Sequence, residues 1–303
     1  MKSKKIIEAI DDFNHEIIFN NVSYIYNKKT IYEILALENI FLKIKPKIIT
    51  AIIGSTGSGK STLIQHMNGL LIPSQGEIII NNFKIISNNK KIKNIKRLRK
   101  SIGVVFQFPE NQLFEDTVEK DIIFGSLNMG VPKNIALLKA RKYLTLVKMD
   151  LKYLTSSPFN LSGGQKRRVA IAGILALEGN TIILDEPTAG LDPDGEKSFL
   201  KMFQDLNHKH QKRIIFISHN MNHVLEIADD IIVMEKGKIK FQGSPFEVFQ
   251  NKKLLSSLNL NQPKIYRFIN ALKEKGFIFK NQKIKNINQL CNYLKDNINK
   301  KIN

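Results

Sequence analysis

The nine residues Gly54-Ser55-Thr56-Gly57-Ser58-Gly59-Lys60-Ser61-Thr62 have the types and spacing of a phosphate cradle. They fit G-x-x-x-x-G-K-[ST], the P-loop pattern. The glycines let backbone N–H groups close around phosphate oxygens with no Cβ in the way. Lys60 is placed to reach β- and γ-phosphates, and the Ser61 hydroxyl to hold Mg²⁺. This chemistry needs a strand before the loop and a helix behind it, whose N-terminus adds partial positive charge. The β-branched run Ile48 to Ile53 reads as that buried strand, and Lys60 to Leu71 as that helix.

Further along, Thr181-Ile182-Ile183-Leu184 is an apolar strand closed by Asp185 and Glu186. Carboxylates there lie at the C-terminal strand edge, where open α/β sheets place ligands. Asp185 is placed to hold Mg²⁺, and Glu186 to orient or deprotonate an attacking water. Arg213–Ser218 reads as another core strand running to the same edge and ending at His219, a candidate γ-phosphate contact. The other histidines, His15, His66, His208, His210 and His223, lack that placement and read as structural. Gln107 leaves a third buried strand, Ile102–Phe106, just before a proline break, so its amide can swing towards Mg²⁺ or the water. Asn160-Leu161-Ser162-Gly163-Gly164-Gln165 precedes an apolar helix, Val169–Leu177, and is a second anion-binding turn. The chain has one lysine-bearing P-loop. The second turn, on a separate helical segment, therefore serves the nucleotide of a partner, as a two-fold dimer allows.

The elements that must position these groups follow the chain. Glu16–Tyr26 and Ala36–Ile44 read as antiparallel strands beside the nucleotide loop. Alternation puts Tyr24 and Tyr26 on one face, and either can pack in the sheet or stack on an adenine. Glu77–Ile80 and Phe83–Ile86 read as a hairpin. Residues 115–178 read as mostly helical, with Asp116–Met129 and Pro132–Met149 at helical spacing. Ala189-Gly190-Leu191-Asp192-Pro193 reads as a turn. Asp230–Met234 and Lys238–Phe241 read as a closing hairpin, and Pro245–Phe249, Lys264–Lys275 and Ile287–Ile298 as helices of a docked tail.

Composition sets the class. The 303 residues are 43% hydrophobic and 24% charged, which fits a globular chain with room for a second, smaller domain. There is no apolar run long enough for a membrane span, and Glu8, Asp11 and Asp12 interrupt any leader-like stretch. The single cysteine, Cys291, cannot form an internal disulfide, which fits a reducing setting. The net charge of +20 fits contact with a polyanion or an anionic membrane surface, or lysine drift on solvated faces. It is concentrated after residue 250, where twelve Lys/Arg face Glu274 and Asp296 alone. A second cluster, Lys84 to Lys100, holds eight basic residues and no acid, and reads as a solvated face or a membrane- or partner-facing patch.

Taken in order, these motifs resemble the ATPase subunit of an ABC transporter over about residues 16–250. Ser61 to Leu71, Phe106 to Phe114 and Arg168 to Gly173 further resemble energy-coupling factor (ECF) transporter ATPases, and Gln112-Leu113-Phe114-Glu115 their second type. The resemblance implies an α/β P-loop NTPase fold: a RecA-like core with an antiparallel β subdomain and a helical signature subdomain at about 108–178. It implies a nucleotide-binding domain over 1–250 and a small helical extension over 251–303 that helps hold two ATPases together. It makes Gly54–Ser61 the Walker A loop, Gln107 the Q-loop glutamine and Leu161–Gln165 the signature. Asp185 becomes the Walker B aspartate, Glu186 the catalytic glutamate, Asp192 the D-loop aspartate, His219 the switch histidine and Tyr26 the A-loop aromatic. The implied substrate is ATP with Mg²⁺. The implied partners are a second ATPase, a transmembrane coupling subunit and a substrate-binding membrane subunit, at the cytoplasmic face of the membrane. Arginines of the coupling subunit would meet Glu110, Glu115 and Asp116. The implied cargo is a vitamin or a transition-metal ion. Two alternatives remain at this stage: a homodimeric ATPase of a cobalt or nickel importer, and a non-transport ABC ATPase acting on nucleic acid, for which the chain carries no second ATPase module, sustained heptads or zinc site.

Overall fold

The structure is a computed structural model that describes residues 16–302, except 88, 90, 278 and 280–282. His15 and the acids at 8, 11 and 12 lie outside the described residues, as does Lys90 of the basic cluster.

Among the described residues, ten strands form two sheets. β1 (Ile17–Tyr26), β2 (Ile34–Ile44), β4 (Gln75–Ile80) and β5 (Phe83–Ile86) make an antiparallel sheet in the order β2-β1-β4-β5. β3 (Ile49–Gly54), β6 (Ile102–Val105), β7 (Thr181–Asp185), β8 (Arg213–Ile217), β9 (Asp230–Glu235) and β10 (Lys238–Gly243) make the larger sheet in the order β10-β9-β3-β8-β7-β6. Only β10 runs antiparallel there.

The central strands are apolar along their whole length because both faces are covered. Successive residues point to opposite sides. Ala51, Ile53, Ile182, Leu184, Ile214, Phe216, Ile231 and Val233 enter one core, with the helical half of the chain. Ile52, Ile183, Ile215, Ile217, Ile232 and Met234 enter a second, closed by the antiparallel sheet and helix α1 (Lys60–Met67). The remaining helices are α2 (Ile95–Ser101), α3 (Val118–Asn128), α4 (Lys133–Leu146), α5 (Gly163–Leu175), α6 (Pro193–His208), α7 (Met221–Ile227), α8 (Pro245–Gln250), α9 (Lys252–Ser257), α10 (Lys264–Glu274) and α11 (Ile287–Ile302).

The expected elements are present, with informative differences. α1 stops at Met67, four residues before Leu71. Gly69 takes a left-handed φ of 65°, and the N–H groups of Leu70 and Leu71 both turn back to the Gln65 carbonyl, a glycine-terminated helix end. α5 begins at Gly163, six residues before the expected Val169, because Ser162 and Gln165 form a capping box there. α6 and α7 were not expected. Asp192 caps α6 through Gly195 N at 2.6 Å, with Pro193 at its first position, a start signal hidden inside a turn-like string.

The tail docks as expected. Leu255, Leu258 and Tyr266 join the larger core, with Tyr266 against Phe246 and Phe249. Ile269, Ile284 and Leu290 form a satellite cluster with Phe279, which stacks on Tyr293. Phe277 is exposed. The basic cluster is partly tied down: Lys84 pairs with Glu77 at 2.7 Å, and Arg99 donates to the Gly69 carbonyl.

α6 presents Phe199, Leu200, Met202, Phe203 and Leu206 to the core at helical spacing. Phe203 is completely buried. Phe203→Ala is expected to cost about 3–5 kcal/mol in denaturant unfolding with the m-value unchanged; a loss below about 1 kcal/mol would show that the α6 face is not load-carrying core.

Candidate active site

Strand register brings the chemical groups to one edge. Ile52 of β3 lies beside Ile217 of β8, Ile217 beside Asp185 of β7, and Leu184 beside Val105 of β6. The chain leaves these neighbouring parallel strands at Gly54, Ser218, Glu186 and Phe106, so Gly54–Thr62, His219, Asp185–Glu186 and Gln107 emerge together at the carboxyl ends.

The loop Gly54–Thr62 is closed by backbone contact. Gly54 has φ 153°, and a Cβ there would meet the Met234 carbonyl oxygen at 2.2 Å, so only glycine fits. Lys60 is buried, its Nζ donating to the carbonyls of Gly54 at 3.0 Å and Ser55 at 2.8 Å. Burial lowers its pKa, and the carboxylates of Glu186 and Asp185 act against that. An ammonium held on two carbonyls, with negative groups in front of it, is suited to exchange those carbonyls for phosphate oxygens.

The Ser61 hydroxyl donates to Asp185 Oδ2 at 3.1 Å. Burial raises the pKa of Asp185, the Ser61 hydrogen bond lowers it and the neighbouring Glu186 raises it again, with a net upward shift. A hydroxyl and a desolvated carboxylate side by side are the hard oxygen donors that Mg²⁺ takes. Glu186 sits in the left-handed region at φ 48°, with its N–H bonded to the Ile217 carbonyl at 3.2 Å. That backbone costs of order 1 kcal/mol and turns the carboxylate onto His219, Oε1 to Nε2 at 2.9 Å.

The two tyrosines separate by contact. Tyr24 packs edge-on against buried His66 and against Tyr26. The Tyr26 hydroxyl lies 3.3 Å from Thr62 Oγ1 and 3.4 Å from Gln65 Oε1, over the first turns of α1. Burial drops the pKa of His66 to about 4, and its Nδ1–H bonds the Thr62 carbonyl, which fits the structural role expected of it.

The structure thus brings Lys60, Ser61, Asp185, Glu186 and His219 together. Gln107 is exposed two residues past β6, at the same edge. Ser162 and Gln165 turn on their own helix instead. Ser162 Oγ accepts from Gln165 N at 3.3 Å, Gln165 Oε1 accepts from Ser162 N at 3.0 Å, and Gln165 Nε2 donates to the Tyr153 hydroxyl. Gly163 and Gly164 form the first turn between them, and a Cβ on either would meet nothing within 4 Å. Asp192 is occupied as the α6 cap.

One expectation is corrected. Glu110 is not left for a partner's arginine: Arg167 holds it by Nη2–Oε1 at 2.8 Å and Nε–Oε2 at 3.1 Å. Asp116 forms an exposed pair with Lys120 at 2.7 Å. Arg167 went unnoticed because its partner lies 57 residues away in sequence and nothing local marks the pairing. It also donates to the carbonyls of Pro187 at 3.0 Å and Ala189 at 2.9 Å.

Comparison with known proteins agrees with this geometry. Residues 37–189 match the family described as ABC transporter. The energy-coupling factor transporter ATP-binding protein EcfA2 of Spiroplasma kunkelii is 58% identical over 291 residues, covering 96% of this chain and 95% of its own. The protein of the same name from Mycoplasma capricolum subsp. capricolum is 52% identical over 283 residues, 93% and 98% of the two chains. Among solved structures, cbiO1 from Clostridium perfringens, described as part of the ABC transporter complex cbiONQ, matches with TM-score 0.70 at 37% identity, over 84% of this chain and 98% of that one. MJ0796, a dimeric ATP-binding cassette bound to ADP and Pi, matches with TM-score 0.67 at 27% identity, over 76% and 98%. Among the described residues no helix is long and apolar enough to cross a membrane. The chain belongs to the ABC transporter family, within it to the energy-coupling factor transporter ATP-binding proteins, and it binds and hydrolyses ATP to drive transport.

Proposed function

We propose that this chain is one half of a paired ATPase at the cytoplasmic face of a membrane importer, with each reaction centre shared between two ATPases. The observation that carries this is the division of the site. Lys60, Ser61, Asp185, Glu186 and His219 meet at one sheet edge, while Ser162 to Gln165 cap a separate helix and bond only locally. Walker A residues Gly54–Thr62 hold the phosphates, and Ser162, Gly163 and Gly164 of the second ATPase close on the γ-phosphate with their helix N-terminus. Closure is then favoured only with ATP present, the differential contact that a switch requires. The dimer captured for MJ0796 supports this reading.

Within the site, Tyr26 stacks on the adenine and Lys60 exchanges its carbonyls for phosphate oxygens. Ser61 and Asp185, with Gln107, would hold Mg²⁺, which neutralises charge on the phosphates when bound. Glu186 takes the proton of the attacking water, and His219 fixes that carboxylate and contacts the γ-phosphate. Asp192 lies on the facing turn between the two ATPases.

The second ATPase is a different chain, because the relatives at 58% and 52% identity carry an A2 name. A second reading is a homodimer of this chain serving a cobalt or nickel importer. The membrane coupling subunit docks in a cleft of about 160 Å³ between the Pro109–Gln112 turn, α3 and α5, lined by Leu113, Phe114, Phe124 and Leu177. Phe114 and Phe124 meet edge to face there and remain 58% and 42% exposed, an apolar surface awaiting cover. A substrate-binding membrane subunit completes the complex, with a vitamin or a transition-metal ion as cargo. Residues 1–250 would be the nucleotide-binding domain, and 251–303 the extension that helps hold the two ATPases together.

Glu186→Gln is expected to bind ATP and form a stable ATPase pair while turnover falls at least 100-fold, read by size-exclusion with light scattering and by phosphate release. Normal turnover would refute the role of Glu186. Asp185→Asn tests the metal site by stability. Asp185 has a raised folded pKa, so stability is lost as pH rises from its ordinary carboxylate value to that raised value, and the cost is fully present above it. The variant should melt higher than the parent at pH 7 without nucleotide, by about 2–4 °C per kcal/mol recovered, and lose the stabilisation given by Mg²⁺ with ATP. An unchanged or lower melting temperature without nucleotide would show that Asp185 is not a desolvated group waiting for a cation.

A further inference from the structure

Arg167 is 3% exposed and makes four hydrogen bonds to two separate segments. It stands on α5, five residues beyond Ser162. Its Nε and Nη2 grip both oxygens of Glu110, in the Pro109–Gln112 turn that begins two residues after Gln107. Its Nη1 donates to Pro187 O and Ala189 O, in the turn that runs from Glu186 to Asp192. Burial alone would lift the Glu110 carboxyl, but the Arg167 guanidinium overrides it and holds it below its ordinary value. The carboxylate is therefore held ionised, partly buried, against a buried guanidinium. Removing either partner would leave a buried charge behind.

A guanidinium is planar and its donors are fixed relative to one another. A fork that fills both carboxylate oxygens and two carbonyls cannot let one segment slide without moving the others. The Pro109–Gln112 turn also lines the cleft beside Phe114 and Phe124. We propose that Arg167 is a positioning residue that couples this cleft to the reaction centre: a partner that shifts the Glu110 turn shifts the signature turn and the Glu186–Asp192 turn with it. The proposal rests on the shared-site reading above. Arg168, the next residue, provides a built-in contrast. It is also well packed, over the Phe199 ring, but it donates to the Val147 carbonyl and Ser198 Oγ, neither of them in a nucleotide motif.

The test uses the full transporter complex in lipid vesicles, with the ATPase pair alone alongside. Arg167→Lys keeps the charge and loses the fork. It should lower kcat of the complex about tenfold with KM for ATP within about twofold, and bring the ratio of rates with and without membrane partners close to one. Glu110→Gln, which leaves the arginine in place, should lower that ratio as well. Arg168→Lys should keep it, even if it melts at a lower temperature than Arg167→Lys. A parental ratio in Arg167→Lys, or an equal loss in Arg168→Lys, overturns the proposal. Should Arg167→Lys fail to fold, a parental ratio in Glu110→Gln overturns it by itself. Glu186→Gln is run in parallel. If it is idle while Arg167→Lys is normal, the coupling role falls and the shared site stands; if it turns over normally, the site reading falls first.

Discussion

Two carboxylates at the end of a buried strand, facing a buried ammonium, are the constraint on which the rest depends. β7 is covered on both faces and flanked by β6 and β8, so Asp185 and Glu186 have one direction left, out of the carboxyl edge. Lys60 meets them from the neighbouring loop, clasped by the carbonyls of Gly54 and Ser55. Lys60 is buried and Asp185 partly buried, away from the water that ionised groups prefer. Lys60 is shifted down and Asp185 up, both chiefly by burial. On the proposed reading, polyphosphate with a divalent cation would satisfy both at once, and binding energy would come from relieving a cost already present in the folded chain.

The second half of the machinery is organised differently. Its key turn is held by its own side chains: Ser162 and Gln165 cap each other and Gln165 donates to the Tyr153 hydroxyl. The two glycines between them leave the backbone open on the outside. α5 then runs into the larger core through Val169, Ile171, Ala172 and Leu175, which fixes where that opening points. One arginine on this helix joins it to the turns on either side of the reaction centre. The helical half and the sheet edge are thus joined by direct hydrogen bonds within one chain.

Much of this was legible in the sequence because the informative features are local. β3, β7 and β8 read as strands because central parallel strands are apolar on both faces, and each ends in a chemically distinctive residue. Nucleotide-loop glycines need no distant partner to be recognised. Other features depend on distance. Arg167 and Glu110 look like ordinary surface charges until folding encloses them, and Glu110 was accordingly read as free for a partner. Tyr24 and Tyr26 share a face, and only folding shows their different neighbours, His66 for Tyr24 and Thr62 for Tyr26. The start of α5 was missed by six residues because glycine lowers helix propensity, while the capping box that overrides it depends on side-chain geometry.

Sharing each centre between two ATPases makes hydrolysis a property of the pair. The most direct measurement is the specific ATPase rate of the purified chain as it is diluted, alone and with the second ATPase added, while its mass is followed by light scattering. The account predicts a rate per chain that vanishes as the chains become single and returns when the second ATPase is supplied. Brisk hydrolysis by strictly single chains, independent of concentration, would contradict it.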